Sequence, residues 1–500
     1  MLPDNVFLEI FVFYRDNSGD TRTWKWHLLV HVCRRWRHIV FASPLRLNLR
    51  IFCTSRTSVE KNLSIWPSFP IDIEYHYSGI ESRPRGEDNV IAALKHRDRV
   101  CDLSLDIKGS QFGRMVTEMK KPFPVLTHLR VRSDDRNVPI VPKEFLGRSA
   151  PCLQKIGLFG IPYPALPALL PSANNLVTLE LHRIPPTGYI SPQAMATCLA
   201  VLPRLDTFEI RFQSAAPRPG RIHLPISRAV LPALTSFDFK GASEYLEDLL
   251  AHINSPQLNR IFIVYLNQFV DFQVAQLSKF IDRSVALNLE ATPIRHVQVV
   301  FSSGWVSFDM CHHENHLYSC RPRTITVVSC RGIDQQVSHI AQVLSQFSAT
   351  LSNVVRLKFK FLDEPLSEYH QLEGADDVQW LHLLHQFSAV QTLYVSGTFA
   401  THATQALEDI AQDMVADVLP SLEQIHLKGQ PVSSVQKFFI ARQLSGHPVN
   451  VVNVEMEMER ERERERAVEV ERRKKKRMVE SFEEWERERE RGMGKLLRRW

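Results

Sequence analysis

A six-residue pattern, Leu-x-x-apolar-x-apolar, recurs down most of this chain. Its copies are Leu126-Leu129-Val131, Leu153-Ile156-Leu158, Leu176-Leu179-Leu181, Leu205-Phe208-Ile210 and Leu234-Phe237-Phe239. It continues with Leu258-Ile261-Ile263, Ile294-Val297-Val299, Val354-Leu357-Phe359, Val390-Leu393-Val395 and Leu422-Ile425-Leu427. Val100-Leu103-Leu105 reads as an earlier copy and Ile325-Val327 as a degenerate one. Apolar residues two apart mark one face of a strand. A recurrence of about 30 residues restricts the fold to a stack of repeats, each burying its apolar face on the next. Pro124, Pro151, Pro203, Pro232, Pro256 and Pro420 stand two residues ahead of the first motif position. There proline ends a helix and turns the chain into the strand. Helical patterns fill the intervals at 192–202, 244–253, 337–347, 378–387 and 406–418. In the fourth, Val378, Leu381, Leu384 and Phe387 form the expected apolar stripe.

Strand then helix, repeated, resembles the leucine-rich-repeat horseshoe, with parallel strands on the concave side and helices outside. The repeats are slightly long and lack the Asn that usually closes each strand turn, so an irregular horseshoe is expected. A less regular α/β array with the same alternation is the alternative. The fold class is therefore α/β, with the solenoid at 100–450 and a connector at 53–99. The connector holds Trp66-Pro67, a strand at 71–75 and a helix starting near 90. Residues 451–500 form a charged low-complexity tail, helical or disordered, with Glu-Arg alternation and a basic run at 472–477 that fits an import signal.

Strand parity predicts which residues leave the core. If the motif residues point inward, the second, fourth and sixth positions after the Leu line the concave face. These include Arg130, Arg132, Lys155, Arg211, Lys240, Arg260, Phe262, Arg356, Lys358, Lys360, Tyr394 and Lys428, against Glu180, Glu209 and Asp238. Ten are Arg or Lys and three are Asp or Glu. The basic bias predicts a target that is acidic or phosphorylated, with Arg as a bidentate donor. A generic solvated face is the alternative.

The first fifty residues are different. Val6, Phe7, Ile10, Phe11 and Tyr14 have helical spacing, as do Val32, Cys33, Trp36, Ile39 and Val40, with Arg34, Arg35, Arg37 and His38 opposite. Pro3 suits a helix start, and Ser43-Pro44 a helix stop. A segment of roughly 50 residues with three short helices buries too little to be stable alone. It caps the next domain, or part of its apolar surface is completed by another protein. The order Leu2-Pro3-Asp4, Val6 to Phe11, the Leu28-to-Trp36 run LLVHVCRRW and Ser43-Pro44-Leu45 resembles an F-box at 1–52. The sequence after it is similar to F-box proteins numerous in mushroom-forming fungi. It departs from that pattern at Asn5, at Phe7 and in the polar stretch 15–23. The motif opens directly after Met1, so further residues ahead of it are an expectation. The resemblance implies docking on the Skp linker protein of a Skp–cullin–F-box ubiquitin ligase through Leu2, Pro3, Val6, Phe7, Ile10, Val32, Cys33 and Trp36. The repeats would then hold the target.

Composition excludes several other classes. No apolar run reaches roughly 18 residues, and no basic segment precedes an apolar core at the start, so neither a membrane span nor a signal peptide is expected. The 8 cysteines are scattered without a CxxC and read as reduced thiols, fitting a cytoplasmic or nuclear protein. Cys311, His313, His316 and Cys320 carry zinc-ligand chemistry, but their spacing fits no common module, and the expectation is a polar loop and no metal. No phosphate-binding loop, nucleophile elbow or HExxH occurs, so no enzyme and no cofactor is expected. Rival readings are an F-box-like scaffold without a ligase and a basic nucleic-acid binder. The net charge of +6 does not by itself argue for the second, and the mixed-sign tail and the lack of clustered exposed aromatics speak against it.

Overall fold

The computed structural model describes residues 2–16, 26–54, 59–76, 84–135, 137–214, 228–266, 274–287, 294–302, 305–311, 323–328, 333–361, 377–396, 400–408, 415, 417–428 and 432–453. The charged tail from 454 on, with its basic run at 472–477, lies outside them, as do 312–320 of the Cys/His cluster. The chain divides into two compact units. One is Met1–Pro293 with Gly304–Cys330, and the other is Ile294–Ser303 with Arg331–Trp500.

The first unit opens with helices α1 (Asp4–Asp16), α2 (Trp26–Val30) and α3 (Arg34–Ala42). Then come β1 (Ile51–Thr54), α4 (Val59–Ile65), β2 (Ile71–His76), α5 (Pro84–Leu94), β3 (Val100–Asp106) and α6 (Gly109–Glu118). Next are β4 (His128–Arg132), β5 (Lys155–Phe159), α7 (Leu166–Leu169), β6 (Thr178–Ile184), α8 (Pro192–Leu199) and β7 (Thr207–Phe212). The run continues through β8 (Ala229–Val230), β9 (Ser236–Gly241), α9 (Ser243–His252), β10 (Ile253–Asn254), β11 (Arg260–Tyr265) and α10 (Ala275–Leu287). The chain then passes into the second unit for β12 (His296–Phe301) and returns with β13 (Trp305–Cys311) and β14 (Arg323–Val328). The second unit is completed by α11 (Ile333–Ser345), α12 (Ser348–Leu351), β15 (Arg356–Phe361), α13 (Asp377–Leu384), β16 (Thr392–Ser396), α14 (Ala400–Glu408), β17 (Gln424–Lys428), α15 (Gln436–Leu444) and β18 (Asn450–Asn453).

Within the first unit the strand order is β1-β2-β3-β4-β5-β6-β7-β9-β11-β14-β13, and within the second it is β12-β15-β16-β17-β18. Every described pair in both orders is parallel except β13 with β14. Parallel neighbours need a crossover, and the interval between motifs supplies it. This is the mixed α/β repeat with a parallel sheet that the pattern predicts. The fourth motif positions form an unbroken row in register: Leu103, Leu129, Ile156, Leu179, Phe208, Phe237 and Ile261. All are buried. Burying such a side chain stabilises by roughly 1.5–3 kcal/mol, so the row acts as a spine. Val297, Leu357, Leu393 and Ile425 form the matching row in the second unit. Aromatic rings thicken both cores. Tyr245 packs on Phe212 at 4.7 Å and donates its hydroxyl to Ile190 O, and Trp380 packs on Phe359 at 5.6 Å. Gly160 ends β5 with φ +70, and a Cβ there would meet Ser133 O at 2.3 Å, so glycine is required.

The structure departs from the sequence expectations at definite places. The stretch 53–99, read as a connector, contributes strand pairing: β1 and β2 extend the parallel sheet of the first unit. The helix expected to start near Val90 ends at Leu94 instead. The tail boundary at 451 cuts β18, which pairs with β17 as far as Asn453. The stripe around α13 is Trp380, Leu383, Leu384 and Phe387, all buried, and Leu381 is only half-buried. A strict three-residue spacing drifts around a helix of 3.6 residues per turn, and the large Trp380 wins the core position. Of the helix expected at 406–418, residues 406–408 belong to α14, which begins at Ala400, and 409–414 and 416 lie outside the described residues.

Candidate functional site

Two surfaces carry the residues that the sequence singles out. The first is α1 with the start of α3. Val6, Phe7, Ile10, Phe11 and Tyr14 do not share one buried face. Leu8 and Phe11 turn inward, and Phe11 and Phe7 lie 4.9 and 5.8 Å from the Trp36 ring. The outward stripe is Leu2 (52% exposed), half-buried Val6, Ile10 (48%) and Phe13 (71%), spaced four, four and three apart. That spacing keeps Val6, Ile10 and Phe13 on one side of α1, and Leu2 lies just ahead of the helix. Val32 and Cys33 precede α3 and do not form part of it. Cys33 is its N-cap, with Sγ accepting from Trp36 N at 3.4 Å, and Val32 stays 58% exposed. Arg35 joins the two helices. It donates to Asp4 at 2.6 Å and to Leu2 O, and its guanidinium lies 5.0 Å from the Phe7 ring centroid. Pro3 and Cys33 are exposed, and Trp36 is half-buried.

The other side of this segment is anchored. Trp26 is buried, donates Nε1 to Arg50 O at 2.8 Å, and meets Trp66 at 5.0 Å and Phe69 at 5.5 Å. The helices therefore do cap the first strands, and their outer apolar stripe is additional to that role.

The second surface is the sheet face that the core residues leave. Parity holds: Leu129 and Val131 are buried, whereas Arg130 and Arg132 are exposed. In the first unit this face is an ion-pair ladder. Lys155 contacts Glu180 at 2.6 Å, His182 contacts Glu209 at 2.7 Å, and Arg211 takes both oxygens of Asp238 at 2.8 and 2.5 Å. Arg132 pairs with Asp134 at 3.0 Å, and Arg130 lies 5.0 Å from the Phe159 ring centroid. The hydrogen bond from His182 holds the Glu209 carboxyl below its usual range. Burial pushes Asp238 up, against the pull of Arg211. The fork geometry keeps this pair ionic. The expected basic bias is thus spent internally at Arg132, Lys155 and Arg211. The side chains of Lys240 and Arg260 have no hydrogen bond or ion pair among the described residues, and Phe262 is half-buried beside them.

Sequence reading also missed the acidic end of this face. Asp72 and Glu74 on β2 share its parity with Asp102 and Asp106 on β3, in register with one another. Arg50 reaches Asp72 at 3.0 Å. The alternation at 72, 74, 102, 104 and 106 was the available signal.

The second unit's face has the opposite balance. Its described outward positions are His296, Gln298 and Val300 on β12, then Arg356, Lys358 and Lys360 on β15. Thr392, Tyr394 and Ser396 follow on β16, Gln424, His426 and Lys428 on β17, and Asn450 and Val452 on β18. None is a carboxylate. Tyr394 and His426 stack with centroids 4.4 Å apart and planes 21° apart. Arg356, Lys358, Tyr394 and His426 all have further partners in the structure. Lys360 and Lys428 are exposed and have none among the described residues.

Among the described residues no group of three or more His, Cys, Asp or Glu is arranged to hold a metal ion, and no helix is long and apolar enough to cross a membrane. No family model and no curated protein matches the chain. Among solved structures, it is similar to the leucine-rich repeat-containing protein LegL7 from Legionella pneumophila, at 12% identity and a TM-score of 0.24, over 66% of this chain and 94% of that one.

Proposed function

We propose that this chain is a non-enzymatic adaptor. Helices α1 to α3 act as an F-box on the Skp linker of a Skp–cullin–F-box ubiquitin ligase, and the sheet faces hold the target. One observation carries the reading: the outward stripe of Leu2, Val6, Ile10 and Phe13, on a helix whose other side is already seated. Apolar side chains in such a row mark a surface for a partner. Leu2, Val6 and Ile10 of the stripe, and the exposed Val32, fall on the residues that resemble the F-box motif. Other subunits would transfer ubiquitin, so this chain needs no catalytic group, and it would work in the cytoplasm or nucleus.

The test is co-purification of the full chain with a fungal Skp linker protein. Ile10→Glu with Val32→Glu changes exposed positions and should leave the fold intact, as checked by circular dichroism. Capture by the unchanged chain, lost in the double variant, is the expected result. Failure of the unchanged chain to bind would remove the ligase role and leave a scaffold.

A further inference from the structure

We propose that the open sheet face of the second unit is a phosphopeptide site, with the phosphoryl group held between Lys360 and Lys428. This rests on the adaptor reading only in calling the peptide a target.

The register sets the geometry. Lys360 is opposite Ser396, and Ser396 is opposite Lys428, so the two lysines flank one small residue in a single row. Their backbones are two strand spacings apart, about 9.6 Å, which two flexible lysine stems readily span from either side. The Ser396 hydroxyl is turned back to Phe359 O at 3.2 Å, so it does not compete for the lysines. Neither lysine has a partner among the described residues, and no described position of this face is acidic. Two ammonium groups flanking one small residue, with no carboxylate among the described positions of the face, repel each other, and a dianion relieves that repulsion better than a single carboxylate does. The first unit's face differs in carrying carboxylates, with Glu180 on Lys155, Glu209 on His182 and Asp238 on Arg211.

Beyond this point the face suits an extended acidic chain. Arg356, Lys358 and Lys360 project from one strand at steps of about 6.6 Å. Nucleic acid fits less well. Tyr394 and His426 sit on adjacent strands and stack on each other, so their rings stand on edge to the sheet. They offer no flat platform for a base, which is what sequence-tolerant stacking requires.

The test uses the full chain and measures binding by fluorescence anisotropy. The probes are a degenerate peptide pool with one fixed phosphoserine among acidic residues, the same pool with serine, and a short oligothymidylate. The phosphoserine pool should bind at least about tenfold more tightly than the serine pool. Lys360→Glu with Lys428→Glu should abolish that difference, while Lys155→Glu should leave it intact. Equal binding of both pools, or an unaffected double variant, overturns the proposal. Oligothymidylate binding that outcompetes the phosphoserine pool also overturns it and assigns the face to nucleic acid. None of these outcomes depends on Skp capture, so the two proposals fail separately.

Discussion

Glu247 is a buried carboxylate on α9 whose oxygens accept the backbone N–H groups of Gln276 at 2.6 Å and Leu277 at 2.9 Å, at the start of α10. Burial nevertheless pushes its pKa up from 4.5 to about 7, against those two hydrogen bonds. A carboxyl with a raised folded-state pKa contributes most stability below its unfolded value and loses it as pH rises through the folded one. Wild type should therefore lose stability relative to Glu247→Gln as pH climbs from 4.5 to about 7, measured as the difference in Tm across that window. Glu247→Ala should cost about 2 kcal/mol, because it strips α10 of its cap. Glu408 serves α15 in the same way, accepting from Lys437 N at 2.7 Å. Arg442 is a second buried charge, fully inaccessible, with its guanidinium donating to Val415 O, Pro420 O and Leu422 O. Burial lowers its pKa, which offsets part of what those bonds contribute. Three abandoned carbonyls outweigh that relief, so Arg442→Met should destabilise by about 2 kcal/mol in thermal unfolding.

At the scale of elements, Trp26 joins the N-terminal helices to the first strands. Trp26→Ala should cost about 3–5 kcal/mol locally and release the helices to limited proteolysis after Ala42, while the repeat strands stay protected. This segment was partly legible in the sequence. Helical spacing marks α1 and α3, but it cannot tell which of Phe7 and Ile10 faces inward, since both lie within one broad apolar arc. Strands were the most legible elements, because a period of two leaves no choice of face. Two kinds stayed hidden. β1 carries no Leu three residues ahead of its apolar pair Ile51 and Cys53, and β13 alternates Val306, Phe308 and Met310 without the preceding proline and runs antiparallel to β14. The ladder on the first unit's face was hidden as well. Lys155 meets Glu180 only because of the register between two strands, and register is a property of the assembled sheet.

At the scale of the whole molecule, the two units are interleaved along the chain, since β12 is made before the strands that finish the first unit. A chain of residues 331–500 lacks β12 and leaves Leu357 and Phe359 without their neighbours Val297 and Val299. It should be insoluble or molten, as judged by near-ultraviolet dichroism, whereas 294–500 should regain a folded signal. The pairing of β11 with β14 also has a consequence during synthesis. Every earlier strand of the sheet can dock on its finished neighbour soon after it leaves the ribosome. β11 likewise docks on β9, but its other edge waits until Val328 has emerged, a delay of several seconds at roughly 5–20 residues per second. For that interval the nascent protein presents a bare hydrogen-bonding edge, the moment at which a chaperone would be most needed and at which two chains on one polysome could pair with each other.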